Sequence, residues 1–127
     1  MRVALDTNAY AAIVANDTQA QRVIQEADEI YIPLIVLGEL RAGFMAGSRT
    51  NENEARLTRF LHSPRVQTLV PDAETSHVYA RLFAQLRKQG TPIPTNDIWI
   101  AALVLQHDLC LLARGRHFDH LPQLLRA

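Results

Sequence analysis

Short apolar runs alternating with helix-length segments leave this chain few folds to adopt. Arg2 to Leu5, Glu29 to Ile32, Val66 to Val70 and Leu109 to Ala113 each have the length and apolar content of a buried strand. Helical segments fill the intervals. The first two run from about Ala9 to Ala15 and Gln19 to Ala27, separated by Asn16-Asp17-Thr18, whose side chains cap rather than continue a helix. The others run from Pro33 to Met45, from Thr50 to about Leu61, from Ala73 to Gln89 before Gly90, and onward from about Thr95. Strands joined through helices pair in parallel and need cover on both faces. The expected fold is therefore α/β, a three-layer α/β/α arrangement with a mostly parallel central sheet. At 127 residues, 48% of them hydrophobic, the chain has the size of a single domain over residues 1–127 and enough apolar surface for a core.

Three carboxylates fit this pattern badly. Asp6 ends the apolar run Val3-Ala4-Leu5. Glu39 lies inside a helical segment, with Ile35, Val36, Ala42 and Gly43 as its neighbours one turn away. Asp97 opens a helix that is apolar nearly all round, with Ile100, Ala101 and Val104 on its own face. A buried acid costs several kcal/mol unless its charge is compensated. Three in one small domain point to a shared counter-ion, and a hard divalent cation with oxygen ligands is the natural one. Each acid also has a purely structural explanation. Asp6 can be a helix N-cap, Asp97 can complement a helix dipole, and Glu39 can pair with Arg41 or Arg81.

Charge and motifs exclude several classes. The 13 basic and 13 acidic residues cancel, so no global field draws a polyanion, and any nucleic acid must be held locally. The single cysteine, Cys110, excludes an intrachain disulfide framework and fits a reducing cytoplasm. No signal peptide is expected, and no apolar run approaches the roughly 20 residues that span a bilayer. A phosphate-binding P-loop is missing. A haloacid-dehalogenase type of phosphatase needs a second Asp two residues after the first, where this chain has Asn8.

Leu5-Asp6-Thr7-Asn8, Gly38-Glu39-Leu40-Arg41-Ala42-Gly43 and Asn96-Asp97-Ile98-Trp99-Ile100-Ala101-Ala102 resemble, in order and spacing, the PIN domain. More narrowly they resemble the VapC-type toxins of toxin–antitoxin systems, over essentially the whole chain to Phe118. The resemblance implies a Mg²⁺-dependent endoribonuclease, with Mn²⁺ as substitute, that hydrolyses RNA phosphodiesters through metal-activated water and leaves 5′-phosphate and 3′-hydroxyl ends. Asp6, Glu39 and Asp97 would be its catalytic, metal-holding acids, and Thr7 and Asn8 would organise them from behind. A cognate antitoxin, an RNA substrate of unassigned class (tRNA and rRNA being candidates) and a homodimer are the expected partners, with no membrane. The apolar girth of the Asp97 helix, with Tyr31, Leu34 and Leu37, is the chain's own argument for the dimer.

After the last strand the chain departs from the family pattern. The segment reads Ala113-Arg114-Gly115-Arg116-His117-Phe118, and the usual acid or amide position is Gly115. Gly115, His117 and Asp119 mark the region where a fourth contribution is in doubt, and Gly115→Asp is expected to tighten metal binding. Arg114 and Arg116 are candidates for holding RNA phosphates. His117 and His120 are expected to be surface or packing residues, and Trp99 to lie in the core or an interface. The alternative to a nuclease is a catalytically weakened PIN protein that binds RNA or antitoxin without efficient cleavage.

Overall fold

The computed structural model describes all residues, Met1 to Ala127, and contains one parallel sheet with helices on both faces. The strands are β1 (Arg2–Leu5), β2 (Glu29–Pro33), β3 (Val66–Leu69), β4 (Cys110–Leu112) and β5 (Leu125–Arg126). The helices are α1 (Thr7–Val14), α2 (Thr18–Glu26), α3 (Leu34–Ala46), α4 (Thr50–Leu61), α5 (Ala73–Gln89) and α6 (Thr95–Gln106). The sheet order is β3-β2-β1-β4-β5, with every neighbouring pair parallel. β1 is central, so Val3, Ala4 and Leu5 are fully buried. Thirty-three buried apolar residues form one continuous core.

Chain order reverses direction across the sheet at β1 and β4, and this positions the site. In an open parallel sheet the crevice beyond the strand ends at such a reversal is where ligands gather. Asp6 follows β1 there, and the Asp6 N–H donates to Leu112 O at the end of β4 at 3.1 Å. The segment after β4 is thereby held beside Asp6.

Three elements differ from the expectations. Pro33 ends β2, in register with Leu69, and its extended backbone (φ −60°, ψ 142°) serves as the N-cap of α3. β5 has only two residues, both exposed, and pairs through its backbone with β4. Finally, the apolar girth of α6 is used up inside one chain. Ile98, Ile100, Ala101, Ala102, Leu103 and Val104 are all buried, because α6 packs against both α3 and α5. Tyr31 and Leu37 are buried as well, and only Leu34 remains exposed. The all-round apolar pattern is therefore explained without a second copy. Trp99 is half-buried and stacks on Tyr79 of α5, with ring centroids 4.3 Å apart.

Candidate functional site

Beyond the ends of β1 and β4 lies a pocket of about 210 Å³, lined by Asp6, Thr7, Asn8, Glu39, Asp97 and the segment Arg114 to Phe118. Four separate pieces of chain supply these residues, and each has a local reason to be there. Asp6 is the N-cap of α1, and its Oδ1 accepts the N–H of Ala9 at 2.7 Å. Glu39 stands on α3 between the buried Val36 and Leu37 on one side and Leu40 on the other. Asp97 occupies the first turn of α6, where the helix dipole favours an acid. Phe118, 3% exposed, anchors the 3₁₀ turn His117–His120 in the core and so sets His117 at the rim.

The acids occupy the site at an electrostatic cost. Asp6 is only 5% exposed, and burial pushes its carboxyl up from 3.8 to about 6. The main-chain N–H groups of Ala9 and Arg114 oppose that shift, and the charge of Asp97 adds to it. Burial likewise raises Asp97, against the hydrogen bond from His117, while the charge of Glu39 raises it further. The three carboxylates thus feel one another across a shared space, although they are distant in sequence.

Two of them have taken hydrogen-bonding neighbours. The Thr7 hydroxyl donates to Glu39 Oε1 at 2.7 Å, and His117 Nδ1 lies 2.7 Å from Asp97 Oδ2. The arginines that would have explained Glu39 as a structural ion pair are elsewhere: Arg41 grips Glu54, and Arg81 is exposed on α5. No three His, Cys, Asp or Glu side chains are drawn close enough to share an ion directly. The donor set nonetheless fits a hard cation: three carboxylates line one pocket, and no Lys or Arg side chain pairs with any of them, since Arg114 is held by Asp17 and Arg116 makes no ion pair. Mg²⁺ keeps several of its waters and needs only one or two direct carboxylates, which suits the wider spacing.

The region of the fourth contribution resolves residue by residue. Gly115 has φ +103°, in the left-handed half of the map where L side chains are strained. Its glycine is therefore a backbone requirement, and Gly115→Asp carries a conformational penalty that the expected gain in metal binding did not include. Asp119 is turned away from the pocket and pairs with Arg126 at 3.1 Å. His117 is the member of that region whose side chain reaches the acids. His120 lies outside the pocket, so the two histidines do not act as a pair. Arg116 is exposed at the pocket wall. Arg114 is already engaged, through Nη2, with Asp17 at the start of α2. The capping role expected for Asp17 is present, but its tie to Arg114 was not foreseen, because nothing in the spacing joins residues 17 and 114.

A fold of this order, with acids just after β1 and on α3 and α6 around the strand-end crevice, defines a class. Residues 3–124 match the PIN domain family model, and the chain belongs to that family. Its relatives include ribonuclease VapC1 of Haemophilus influenzae, 31% identical over 94% of this chain and 92% of that protein. Ribonuclease VapC4 of Mycobacterium tuberculosis is 28% identical over 97% of this chain and 93% of its own length. Among solved structures, VapBC2 from Rickettsia felis bound to a promoter DNA fragment superimposes with a TM-score of 0.86 at 25% identity, covering 100% of this chain and 98% of that one. VapBC-1 from nontypeable Haemophilus influenzae gives 0.85 at 26% identity, over 100% and 97%.

Proposed function

We propose that this protein is a divalent-metal-dependent endoribonuclease, acting as a single PIN domain over residues 1–127 and as the toxin of a toxin–antitoxin pair. The observation that carries the reading is the pocket itself: Asp6, Glu39 and Asp97 face one another, and Asp6 is buried with its carboxyl pushed up to about 6. Relatives named ribonuclease over nearly their full length support the activity, and relatives solved as VapBC assemblies support an antitoxin partner. Nothing in those relatives or in the pocket favours binding without cleavage.

In this reading Asp6, Glu39 and Asp97 are the catalytic residues and hold one or two Mg²⁺ ions, with Mn²⁺ as substitute. A bound ion supplies polarisation of a phosphoryl oxygen and a lowered pKa for the attacking water. Thr7 fixes one oxygen of Glu39 and leaves the other for the pocket. His117 fixes one oxygen of Asp97 in the same way. Asn8, expected with Thr7 to organise the acids from behind, is instead exposed at the rim with no hydrogen bond to them, where an amide can meet the RNA strand. A net negative pocket also suits a Lys or Arg from an antitoxin, which would fill the cation's place and silence the site. No helix is long and apolar enough to cross a membrane, and a cytoplasmic setting belongs to this proposal. A homodimer also stays part of it, resting now on exposed Leu34 and Phe83 rather than on α6; a monodisperse monomer in light scattering at high concentration contradicts it.

The test is to incubate the purified chain, freed of any partner, with total RNA and Mn²⁺ and to sequence the new ends. The expected products carry 5′-phosphates and 3′-hydroxyls and vanish with EDTA and in Asp97→Asn. Cleavage that survives Asp97→Asn, or no cleavage at all, contradicts the assignment.

A further inference from the structure

Arg114 and Arg41 both meet a carboxylate, but they do so differently. Arg41 lays the side of its fork against Glu54, with Nε at 3.0 Å and Nη2 at 2.9 Å from Oε1. Two adjacent N–H groups on one carboxylate is the geometry of a pair that serves its own stability. Arg114 instead touches Asp17 with one corner, Nη2, and its Nε is buried with no partner at all. A half-exposed ion pair of this kind, with side chains 35% and 37% exposed, adds little to stability. An unpaired buried donor costs more than such a pair returns. Stability alone therefore does not account for the arrangement.

The location of Arg114 does. It lines the same pocket as Asp6, Glu39 and Asp97, and its main-chain N–H faces the Asp6 carboxylate. An RNA strand entering this pocket brings phosphates towards three acids, so a cation must be fixed among them for the backbone to approach. Asp17 is well built to do the fixing. Its Oδ1 is held at the N-terminus of α2 by the N–H of Ala20 at 2.9 Å and accepts Arg114 Nη2 on the same oxygen. It is thus a rigid post reached from the other end of the chain.

We infer that Asp17 is a positioning residue, tethering Arg114 by one corner so that the rest of its guanidinium receives a phosphate of the RNA strand beside the three acids. The inference rests on the nuclease reading and gives the substrate backbone a specific seat. A phosphate oxygen would meet the exposed part of the guanidinium that Asp17 leaves free, not the buried Nε, and the tether would keep the flexible side chain from pairing with Asp6 instead.

The test measures anisotropy of a fluorescein-labelled, mixed-sequence single-stranded RNA across a salt series in EDTA, so that nothing is cut. Mn²⁺ binding by calorimetry and the melting temperature are followed in parallel. Arg114→Ala should weaken RNA binding about tenfold and reduce the salt slope by about one phosphate contact. Asp17→Asn keeps an oxygen for Ala20 and so keeps the helix cap, yet it should weaken RNA binding severalfold. The double variant should bind no worse than Arg114→Ala, because the two residues act in series. Mn²⁺ affinity should stay near that of the unsubstituted protein throughout. If Asp17→Asn binds RNA with the original affinity and salt slope, the positioning role is wrong. If Arg114→Ala does so too, the seat itself is wrong. If the unsubstituted protein, folded and binding Mn²⁺, neither binds nor cuts RNA, the nuclease reading fails and this inference falls with it.

Discussion

Asp6 and Asp72 perform the same local task, yet their carboxyls are shifted in opposite directions. Each is the N-cap of a helix, and each accepts the N–H of that helix's third residue, Ala9 for Asp6 and Thr75 for Asp72. Around Asp72 the polar groups close on one another. The Gln106 amide donates to its Oδ1 at 2.9 Å, and the Thr75 hydroxyl meets both residues. These hydrogen bonds, that of Gln106 first, hold the Asp72 carboxyl below its ordinary range. Asp6 is buried, and burial outweighs its two main-chain donors and leaves it at about 6. A helix cap therefore explains why an Asp stands at position 6. It does not explain why that Asp is buried facing two other acids, and this unrelieved cost is what marks the site.

The largest expected difference between the two is in chemistry. Asp6→Asn keeps a capping oxygen but removes a charge from the pocket, and cleavage should fall by about a hundredfold or more. Asp72→Asn should leave cleavage of the same RNA unchanged. Equal losses in both variants would mean that capping, not the pocket charge, is what activity requires.

Stability against pH should separate them next, measured by urea unfolding in the absence of divalent ions. The folded-state pKa of Asp6 lies above its unfolded value. Its contribution is fully present below about pH 4 and is lost as the pH rises towards 6. A shift of about two units corresponds to roughly 3 kcal/mol. Asp97 is raised as well and adds with the same sign. Asp6→Asn should remove most of this slope. Asp72 should act in the opposite sense: its contribution is present above its unfolded pKa and lost as the pH falls through the lowered folded one. A flat profile between pH 4 and 6 in the unsubstituted protein would contradict the burial cost assigned to Asp6.

Backbone effects should be smaller. Gly115→Ala, placing a side chain at φ +103°, should cost about 1–2 kcal/mol in unfolding measurements. Gly115→Asp should carry the same penalty, so any gain in Mn²⁺ affinity must be read against a loss in melting temperature. Full stability in Gly115→Ala would show that the glycine answers to something other than its backbone angle. Asp72→Ala, which loses a cap, should cost about 1 kcal/mol.

The same contrast shows what a sequence reader can and cannot see. The strand and helix alternation is written in apolar periodicity, and β1 to β4 and all six helices lie within a few residues of their expected places. The three acids were legible because each interrupts an apolar pattern. β5 was not, since Leu125 and Arg126 pair through the backbone and bury no side chain. The alternative of an arginine partner for Glu39 is not realised; instead the Thr7 hydroxyl meets it from 32 residues away, a contact that spacing does not reveal. The positive φ at Gly115 was not legible either, because a backbone angle leaves no trace in residue order. The all-round apolar surface of α6 looked like a docking face because sequence does not distinguish cover by α3 and α5 from cover by a second copy.

The most direct test of the central claim is the ¹³C chemical shift of the Asp6 carboxyl followed through a pH titration with and without Mg²⁺. The expected midpoint is near 6 in the metal-free protein and falls markedly when Mg²⁺ is present, because a cation in the pocket favours the charged form. Asp72 in the same spectra serves as the control and should titrate at one low midpoint under both conditions. An Asp6 midpoint that Mg²⁺ does not move would contradict the claim that these acids are gathered to hold a divalent cation.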